Sequence, residues 1–500
     1  MGAHINWTAL WVFVFFFVLV TVMGFAAARW QGGGTKDPHL DEWGLGGRNF
    51  GTWITWFLVG GDFYTAYTVI AVPALVYAVG AYGFFALPYT IIVYPIVFII
   101  MPRLWHAAHR AGHVTAADVV YGRYGSRLLE LAVAITAVVA TMPYIALQLV
   151  GMEVVIKALG LTGELPLAAA FVILALYTYS AGLRAPALIA FVKDLMIYIV
   201  VLVAVVMVPA KLGGYGAVFA AAGAAFAAKG GATGLILQPQ QMLAYSTLAL
   251  GSALAAFMYP HTLTGIFAAK SADTIRKNAV FLPAYTVLLG LIALLGYMAY
   301  AARLEIHSNN DVVPALFNAL FPSWFAGFAF AAIAIGALVP AAVMSIGAAN
   351  LFTRNFWKAY VRPDVTPGGE AKVAKIVSLV VKVGALIFIL FLPTQFALDL
   401  QLLGGLWILQ TFPAVVFGLF FNWFRAPALL AGWAAGLVGG SALVFLDGVK
   451  PVHTLVIGAG HYTVYTGLLA LVLNVAVAAV VQVLVGATER RTTLDLHEQR

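Results

Sequence analysis

An aspartate within an apolar segment is the residue of this chain whose position most directly suggests chemistry. Asp62 follows Gly60 and Gly61 inside the apolar run of residues 54–79. An ionised carboxylate at the centre of a bilayer costs roughly 2.5–3.5 kcal/mol on insertion scales, so an acid there usually has a function. Adjacent glycines can unwind a membrane helix, and lipid tolerates the exposed backbone only where it lines a cavity. The segment predicts an interrupted helix with a binding site at the break, as in secondary transporters. The competing interpretation is a glycine packing contact beside an ion-paired Asp62.

Hydroxyl groups next to this break can hydrogen-bond a small polar solute. Tyr64, Thr65 and Tyr67 follow directly, and the i, i+3 spacing of the two tyrosines predicts that they share one helix face. Packing is the alternative role for such aromatic rings. The predicted substrate-binding residues are Gly60, Gly61, Tyr64, Thr65, Tyr67, Tyr144, Gln148, Ser252 and Phe257.

A second long apolar segment, residues 241–269, carries a second candidate break. Gly251 and Ser252 lie near its middle, and Pro260 removes one backbone donor further along. His261 lies toward the inner end, where capping a helix is at least as plausible as proton transfer. Two interrupted segments in corresponding positions are typical of transporters built from inverted repeats.

Two adjacent ionisable residues lie in a third apolar segment. Lys193 and Asp194 fall within residues 186–211. Because successive residues of an α-helix point about 100° apart, we expect each to have a separate partner, with Asp194 solvated at an internal vestibule. Gln148 is a neutral amide in mid-segment that can bond either a carboxylate or another helix.

The composition is that of a membrane protein. The 500 residues are 63% hydrophobic and 9% charged, with a mean hydropathy of +0.97, whereas soluble domains carry roughly 25% charged residues. The formal charge of +8 comes from basic residues scattered through short loops, so nucleic acid is not an expected partner. Without cysteine there is no disulfide framework and no thiolate metal site. No nucleophile–base pair or metal cluster is visible, so we predict neither an enzyme nor a cofactor.

At about twenty apolar residues per crossing, the chain predicts an all-α polytopic protein with thirteen transmembrane helices. The first is expected to be retained rather than cleaved as a signal peptide, because it lacks a basic n-region. The predicted spans are residues 6–29, 50–79, 82–102, 128–159, 165–181, 186–211, 241–269, 279–302, 323–352, 372–392, 395–421, 426–446 and 461–487. Short additional helices are expected within residues 212–240 and 311–321.

The basic residues predict the orientation. Of the 27 lysines and arginines, twenty fall in loops on one side of the predicted spans and five on the other. Because cytoplasmic loops are enriched in basic residues, we predict an inner-membrane protein with its N-terminus in the periplasm and its C-terminus in the cytoplasm.

Several segments in order along the chain resemble the sodium:solute symporter family over essentially its whole length. They are residues 60–65 in the second span, 177–183 followed by Asp194, Pro260 with His261, and 351–355 at the end of the ninth span. Residues 66–74 and 144–149 resemble the branch of bacterial monocarboxylate permeases, which moves lactate, pyruvate and similar acids.

The resemblance implies a LeuT-like inverted-repeat core. The whole chain, residues 1–500, is then one transporter domain. Residues 1–49 form an extra first helix and an internal loop, 50–421 form the core of spans 2–11, and 422–500 add two helices and an internal tail.

The chain departs from the family at the coupling ion. The two serines that help to bind sodium in the family fall on Val339 and Pro340, whose side chains offer no oxygen. Some proton-coupled or uncoupled relatives of this fold hold a lysine ammonium in the place of sodium, and Lys193 is the candidate here. The predicted ion-coupling residues are Asp62, Lys193, Asp194, Val339 and Pro340.

These observations predict a secondary active transporter that takes up small monocarboxylates such as lactate, pyruvate, acetate or propionate. A proton is the preferred coupling ion and sodium the second choice. The alternatives are a sodium-coupled symporter of a sugar, proline or pantothenate, and a transporter-like sensor, since this fold also occurs fused to histidine kinases. No kinase or receiver-like segment is visible. The expected partners are the solute and the lipid bilayer, with a monomer as the expected state.

Overall fold

The computed structural model describes residues 5–29, 39–61, 64–162, 165–231, 233–391 and 397–498. The described chain is helical apart from one β-hairpin and the connecting loops. The helices of its first half are α1 Trp7–Ala26, α2 Leu40–Leu45, α3 Thr52–Thr55, α4 Val72–Val79, α5 Ala86–Arg110, α6 Ala116–Tyr124, α7 Arg127–Ala158, α8 Leu165–Ala181, α9 Arg184–Lys211, α10 Tyr215–Lys229 and α11 Met242–Ala256. Those of its second half are α12 Pro260–Ala268, α13 Ala272–Phe281, α14 Pro283–Ala293, α15 Leu295–Ala301, α16 Val312–Leu320, α17 Ser323–Phe352, α18 Pro367–Phe391, α19 Ala397–Leu409, α20 Phe412–Val416, α21 Ala426–Leu446 and α22 Thr466–Glu498.

Membrane-crossing helices dominate the described chain. Eight helices are long and apolar enough to cross a bilayer, and ten if each of two bent pairs is counted as one crossing. The bent pairs are α11 with α12, at 46°, and α19 with α20, at 52°. Each of the thirteen predicted segments contains helix, and the count of thirteen crossings stays a prediction. The two additional predicted helices are present as α10 and α16.

The second span is interrupted, as its two glycines predict. After α3 the chain continues as a π-helix, Trp56–Gly60, and a second π-helix, Tyr67–Ala71, leads into α4. Tyr64 and Thr65 between them are not helical. π-Helical turns are rare and often lie at functional sites. We call residues 52–61 the first half of the second span and residues 66–79 its second half.

The second interruption lies further along the chain than predicted. Helix α11 runs without a break through Gly251 and Ser252, and the chain bends at residues 257–259 before α12 begins. The expectation of a break at Gly251 is therefore wrong. Gly251 instead allows close approach of the β-hairpin, because a Cβ atom there would collide with the ring of Tyr465 at the end of the hairpin.

The start of the thirteenth span is also corrected. Residues 461–465 belong to an antiparallel hairpin of β1 Val452–Ile457 and β2 Gly460–Tyr465, and α22 begins only at Thr466. The strands are rich in β-branched and aromatic residues, which favour strands, and β2 runs directly into the apolar helix that follows. Counting apolar residues therefore assigned the strand and the helix to one span.

Helix α17 forms the centre of the bundle. It packs against α1, α7, α9 and α18, and its most apolar window is entirely buried. In a membrane, small residues allow helix backbones to approach closely. A Cβ at Gly327 would collide with Ala9 of α1, and one at Gly347 would lie 2.8 Å from the carbonyl carbon of Pro260 in α12. The ninth span thus packs closely against the first span and against α12, the second part of the bent seventh span.

Candidate substrate and ion-coupling site

Lys193 and Asp194 of α9 form a buried ion pair. Lys193 Nζ lies 3.0 Å from Asp194 Oδ1, and both side chains are 0% exposed. The expectation of separate partners, with Asp194 solvated, is wrong. The four-methylene stem of lysine spans the angle between neighbouring helical positions. Burying a charge away from water costs several kcal/mol per ion. The attraction between the ammonium and the carboxylate offsets part of that cost for both residues.

The Lys193 ammonium also caps the first half of the second span. Its Nζ donates to the carbonyl oxygen of Gly61 at 2.6 Å and lies 3.4 Å from that of Tyr64. With Asp194, three oxygens therefore match the three N–H donors of an ammonium. Carbonyls at the C-terminal end of a helix carry the negative end of its dipole, which favours a cation. The interruption is thus occupied by a cation that belongs to the protein itself.

Close approach explains the two glycines at this point. A Cβ at Gly61 would lie 2.7 Å from Lys193 Nζ, and one at Gly60 would collide with the ring of Tyr285. Neither glycine has a positive φ. Their role is therefore to leave room for Lys193 and Tyr285.

A group of tyrosines surrounds the ion pair. Tyr285 of α14 donates to Asp194 Oδ2 at 2.8 Å. Tyr64 donates to the backbone carbonyl of Tyr285 at 3.2 Å, and their ring centroids are 4.6 Å apart. Tyr67 packs instead against Tyr89 of α5, and the centroids of their rings are 6.2 Å apart. The non-helical residues break the i, i+3 relation, so the expectation that Tyr64 and Tyr67 share a face is wrong. Tyr64 belongs with the ion pair. Asp62 itself lies outside the described residues.

Gln148 of α7 holds the start of the second half of the second span. Its Oε1 accepts from the Ala66 backbone N–H at 3.0 Å, and its Nε2 donates to the Tyr144 carbonyl at 3.2 Å. The next N–H, of Tyr67, bonds to Thr65 Oγ1 at 3.0 Å. Two of the backbone donors freed by the break are therefore already bonded. This geometry makes Gln148 a residue that positions the break.

A small cavity lies beside both interrupted spans. It holds about 10 Å³ of open space in this conformation, roughly the room that one water molecule needs. Its walls come from α5, α7, the bend between α11 and α12, and α19. The lining residues are Tyr89, Tyr144, Ala256, Tyr259, His261, Thr262 and Gln401. The rings of Tyr144 and Tyr259 are 5.2 Å apart, and that of His261 lies 5.3 Å from each. We call this the central cavity.

The central cavity is lined by polar groups that lack hydrogen-bond partners among the described residues, and by no charged side chain. Its lining residues include no Lys, Arg, Asp or Glu. Gln401 Oε1 and His261 Nδ1 are buried without a hydrogen-bond partner among the described residues. Helix α12 begins here at Pro260, and the N–H groups of its first turn have no intrahelical acceptor. The positive end of the helix dipole therefore points to the cavity, an arrangement that suits an anion.

The predicted substrate residues are only partly gathered here. Tyr144 lines the cavity. Ser252 is buried within α11 away from it, and Phe257 packs against Phe412 at 6.0 Å. Sequence reasoning missed Tyr89, Tyr259, Thr262 and Gln401 and did not commit to His261. Gln401 carried a usable signal, since it is an amide within an apolar segment, as Gln148 is.

Comparison with known proteins identifies the family. The model of the sodium:solute symporter family matches residues 43–439. The chain belongs to this family. It is 74% identical over 487 residues, 97% of this chain and 99% of the relative, to a protein of Rhizobium johnstonii named a monocarboxylate transport permease protein. An uncharacterised symporter of Bacillus subtilis is 34% identical over 448 residues, covering 86% and 87% of the two chains.

A solved structure supports the fold. The substrate-bound, outward-open state of a Na⁺-coupled sialic acid symporter superposes with a TM-score of 0.77, covering 95% of this chain and 98% of that one at 14% identity. This family member therefore has the LeuT-like fold, and it is a polytopic membrane symporter of small solutes rather than an enzyme. The resemblance inferred from the sequence is confirmed.

The ninth span of this symporter faces the ion pair without side-chain oxygens. A Cβ at Gly336 would lie 3.8 Å from the Tyr64 carbonyl oxygen and 3.2 Å from Ile197 of α9. Val339 and Pro340 follow one turn later, and residues 324–344 contain no hydroxyl or carboxyl side chain. Because Pro340 has no N–H, the Gly336 carbonyl lacks its usual helical donor. Backbone carbonyls are the only oxygens that this stretch of α17 can offer.

Proposed function

We propose that this symporter takes up small monocarboxylates such as lactate, pyruvate, acetate or propionate, and that a proton gradient drives uptake. The observation that carries the substrate class is the central cavity, which is small, uncharged and placed at the N-terminus of α12. The cavity holds about 10 Å³ of open space, roughly the room of one water molecule. It must therefore widen to admit any solute, and an acid of a few carbons requires less widening than a sugar does.

The carboxylate is proposed to lie at the first turn of α12. The N–H groups of His261 and Thr262 and the Gln401 amide are the donors within reach of that position. The rings of Tyr89, Tyr144 and Tyr259 surround the short carbon chain. Because each methylene contributes only about 0.8 kcal/mol, discrimination among two- to four-carbon acids should be modest. The printed name of the R. johnstonii relative supports the same substrate class.

Proton coupling is proposed to act through Lys193. With its proton, Lys193 holds the carbonyls of Gly61 and Tyr64 and pairs with Asp194. When the proton leaves, the amine loses its charge and one donor, and its hold on the first half of the second span weakens. That half can then move relative to α17, as alternating access requires. Side-chain oxygens for sodium are lacking at Val339 and Pro340.

Sodium coupling is the second candidate. It is favoured by the family itself and by the Na⁺-coupled structural neighbour. The carbonyls of Gly61 and Tyr64 are hard oxygen ligands that a displaced Lys193 would leave free. The Gly336 carbonyl, which lacks its usual helical donor, is a further oxygen on α17. A protein with this coupling would need Lys193 to move away before sodium binds.

Placement in the inner membrane, with the N-terminus in the periplasm and the C-terminus in the cytoplasm, is part of the proposal. It is supported by the uneven distribution of basic residues between alternate loops.

Uptake by purified protein in proteoliposomes tests both parts. Labelled lactate is offered with an inward proton gradient or an inward sodium gradient, each imposed alone. We expect accumulation with the proton gradient and no change when choline replaces sodium. Pyruvate, acetate and propionate should compete with lactate. Competition by glucose, proline or pantothenate at similar concentrations would reject the monocarboxylate assignment, and sodium-driven accumulation that ignores pH would reject the proton.

A further inference from the structure

A large open cavity lies apart from the central cavity. It holds about 630 Å³ between the C-terminal part of α5, helix α6 and the chain from α20 to Asn422. The lining residues are Arg103, His106, Ala107, Arg110, Ala111, His113, Val119, Val120, Gly122, Arg123, Ala414, Val415, Gly418, Leu419 and Asn422. None of them lines the central cavity. We call it the basic vestibule, and the proposed orientation places it on the cytoplasmic side.

The basic vestibule concentrates positive charge. Three guanidinium groups, of Arg103, Arg110 and Arg123, converge on it from two helices, and its lining residues include no Asp or Glu. His113 contributes a ring whose pKa is lowered by burial and by the charges of Arg354 and Arg48, although Asp118 opposes this shift. The positive charge at neutral pH therefore comes mainly from the arginines.

These three arginines lack acidic partners among the described residues. The Arg103 guanidinium lies 4.3 Å from the Phe420 ring centroid. Arg123 donates to the carbonyl of Phe421 and to Asn422 Oδ1. No hydrogen bond or ion pair of Arg110 is found within the described chain.

Four other arginines on the same face are paired with acidic residues. Arg184 lies 2.7 Å from Glu42, and Arg354 lies 2.9 Å from Glu370. The remaining such pairs are Arg48 with Asp41 and Arg127 with Glu130. A general excess of basic residues in cytoplasmic loops does not explain why three unpaired guanidiniums share one concave surface.

We propose that the basic vestibule binds a phosphate-bearing anion, either free in the cytoplasm or as the headgroup of an anionic lipid. The forked donors of arginine match phosphate oxygens and bind them in pairs. The vestibule is also far larger than the central cavity, so it suits a bigger and more highly charged ligand than a monocarboxylate. A narrow cavity of about 20 Å³ shares Val415 with it, so the mouth of the transport path is the competing explanation.

Calorimetric titration of inorganic pyrophosphate tests the proposal. The full-length protein is placed in nanodiscs of phosphatidylcholine, which carries no net charge. The wild type is compared with R103Q/R110Q/R123Q and with the control R276Q/R362Q/K372Q, which removes three exposed charges of the same predicted face outside the vestibule. We expect pyrophosphate to bind the wild type and the control alike, and the vestibule variant at least about tenfold more weakly. R110Q alone should also weaken binding, and it disturbs no described contact.

A lipid arm separates the two sources of phosphate. Nanodiscs containing phosphatidylglycerol are prepared with wild type and vestibule variant, and retained lipid is counted by native mass spectrometry. Retention that depends on the three arginines and is displaced by pyrophosphate identifies a lipid headgroup, whereas binding only of soluble pyrophosphate identifies a free anion. The proposal is overturned if neither ligand depends on these arginines, or if lactate displaces pyrophosphate. None of these readouts requires uptake, so the result is independent of the proposed substrate.

Discussion

Lys193 contributes both a buried charge and a hydrogen-bond donor to the break in the second span, and mutation can separate its effect on stability from its effect on coupling. K193M should abolish proton-driven accumulation of lactate while leaving lactate exchange in proteoliposomes. Removing one partner of a buried pair also costs about 3–5 kcal/mol, because Asp194 is left uncompensated. The double variant K193M/D194N should therefore regain thermal stability without regaining accumulation.

A second buried lysine provides the control. Lys382 of α18 is 1% exposed, and among the described residues it donates only to the Ser378 carbonyl, at 3.3 Å. K382M should leave proton-driven accumulation in place. If K193M still accumulates lactate when an inward proton gradient is imposed, Lys193 is not the coupling residue.

Gln401 tests the central cavity. Its Oε1 is buried without a partner among the described residues. Its Nε2 can donate to the carboxylate, and a hydrogen bond to a charged ligand contributes about 1.5–3 kcal/mol. Q401L should therefore raise the KM for lactate about tenfold or more. Gln410, at the C-terminal end of α19, bonds instead to Leu406 and Asn474. Q410L should leave the KM for lactate unchanged even if it lowers the melting temperature. If Q401L and Q410L have the same KM, the substrate does not bind beside Gln401.

Tyr285 tests the tyrosine group around the ion pair. Y285F removes the donor to Asp194 Oδ2, 2.8 Å away. It should lower the free energy of unfolding by about 1.5–3 kcal/mol and alter the dependence of uptake on proton gradient. Because Tyr285 does not line the central cavity, the KM for lactate at a fixed gradient should stay close to that of the wild type. A large change in KM with normal proton dependence would contradict this division of roles.

At the scale of the element, the interruption of the second span depends on glycine at position 61. G61A places a methyl group 2.7 Å from Lys193 Nζ, and such overpacking typically costs about 1–3 kcal/mol. Uptake should be lost through displacement of Lys193. Gly216 in α10 has no atom within 4 Å of an added Cβ, so G216A should keep uptake and gain up to about 1 kcal/mol of stability. Normal uptake by G61A would show that the close contact is dispensable.

At the scale of the whole molecule, the proposed orientation can be tested by labelling. The chain has no cysteine, so a single introduced cysteine gives no background. S308C lies in an exposed loop predicted to face the periplasm, and D364C lies in one predicted to face the cytoplasm. A membrane-impermeant maleimide should label S308C in intact spheroplasts and D364C only after permeabilisation. The reverse pattern would invert the orientation and move the basic vestibule to the periplasmic side.

The sequence by itself determined the properties that depend on neighbouring residues. Hydropathy identified the helical segments and the membrane, and Gly60 with Gly61 located the interruption of the second span. Ordered motifs identified the symporter family, which the comparisons confirm. These features are local, because burial in lipid and helix interruption are decided within about twenty residues.

Only the tertiary structure decided which distant side chains meet. Gln148 contacts Ala66 across 82 positions, and Tyr285 reaches Asp194 across 91. The central cavity brings Tyr89, His261 and Gln401 together. The pairing of Lys193 with Asp194 was unexpected, because the prediction considered only the directions in which adjacent helical side chains leave the backbone. It ignored the flexible lysine stem, whose ammonium is held near Asp194 by the carbonyls of Gly61 and Tyr64. Such contacts depend on how helices pack, and hydropathy is the same for many packings, so the residues of the site became evident only once the helices were placed.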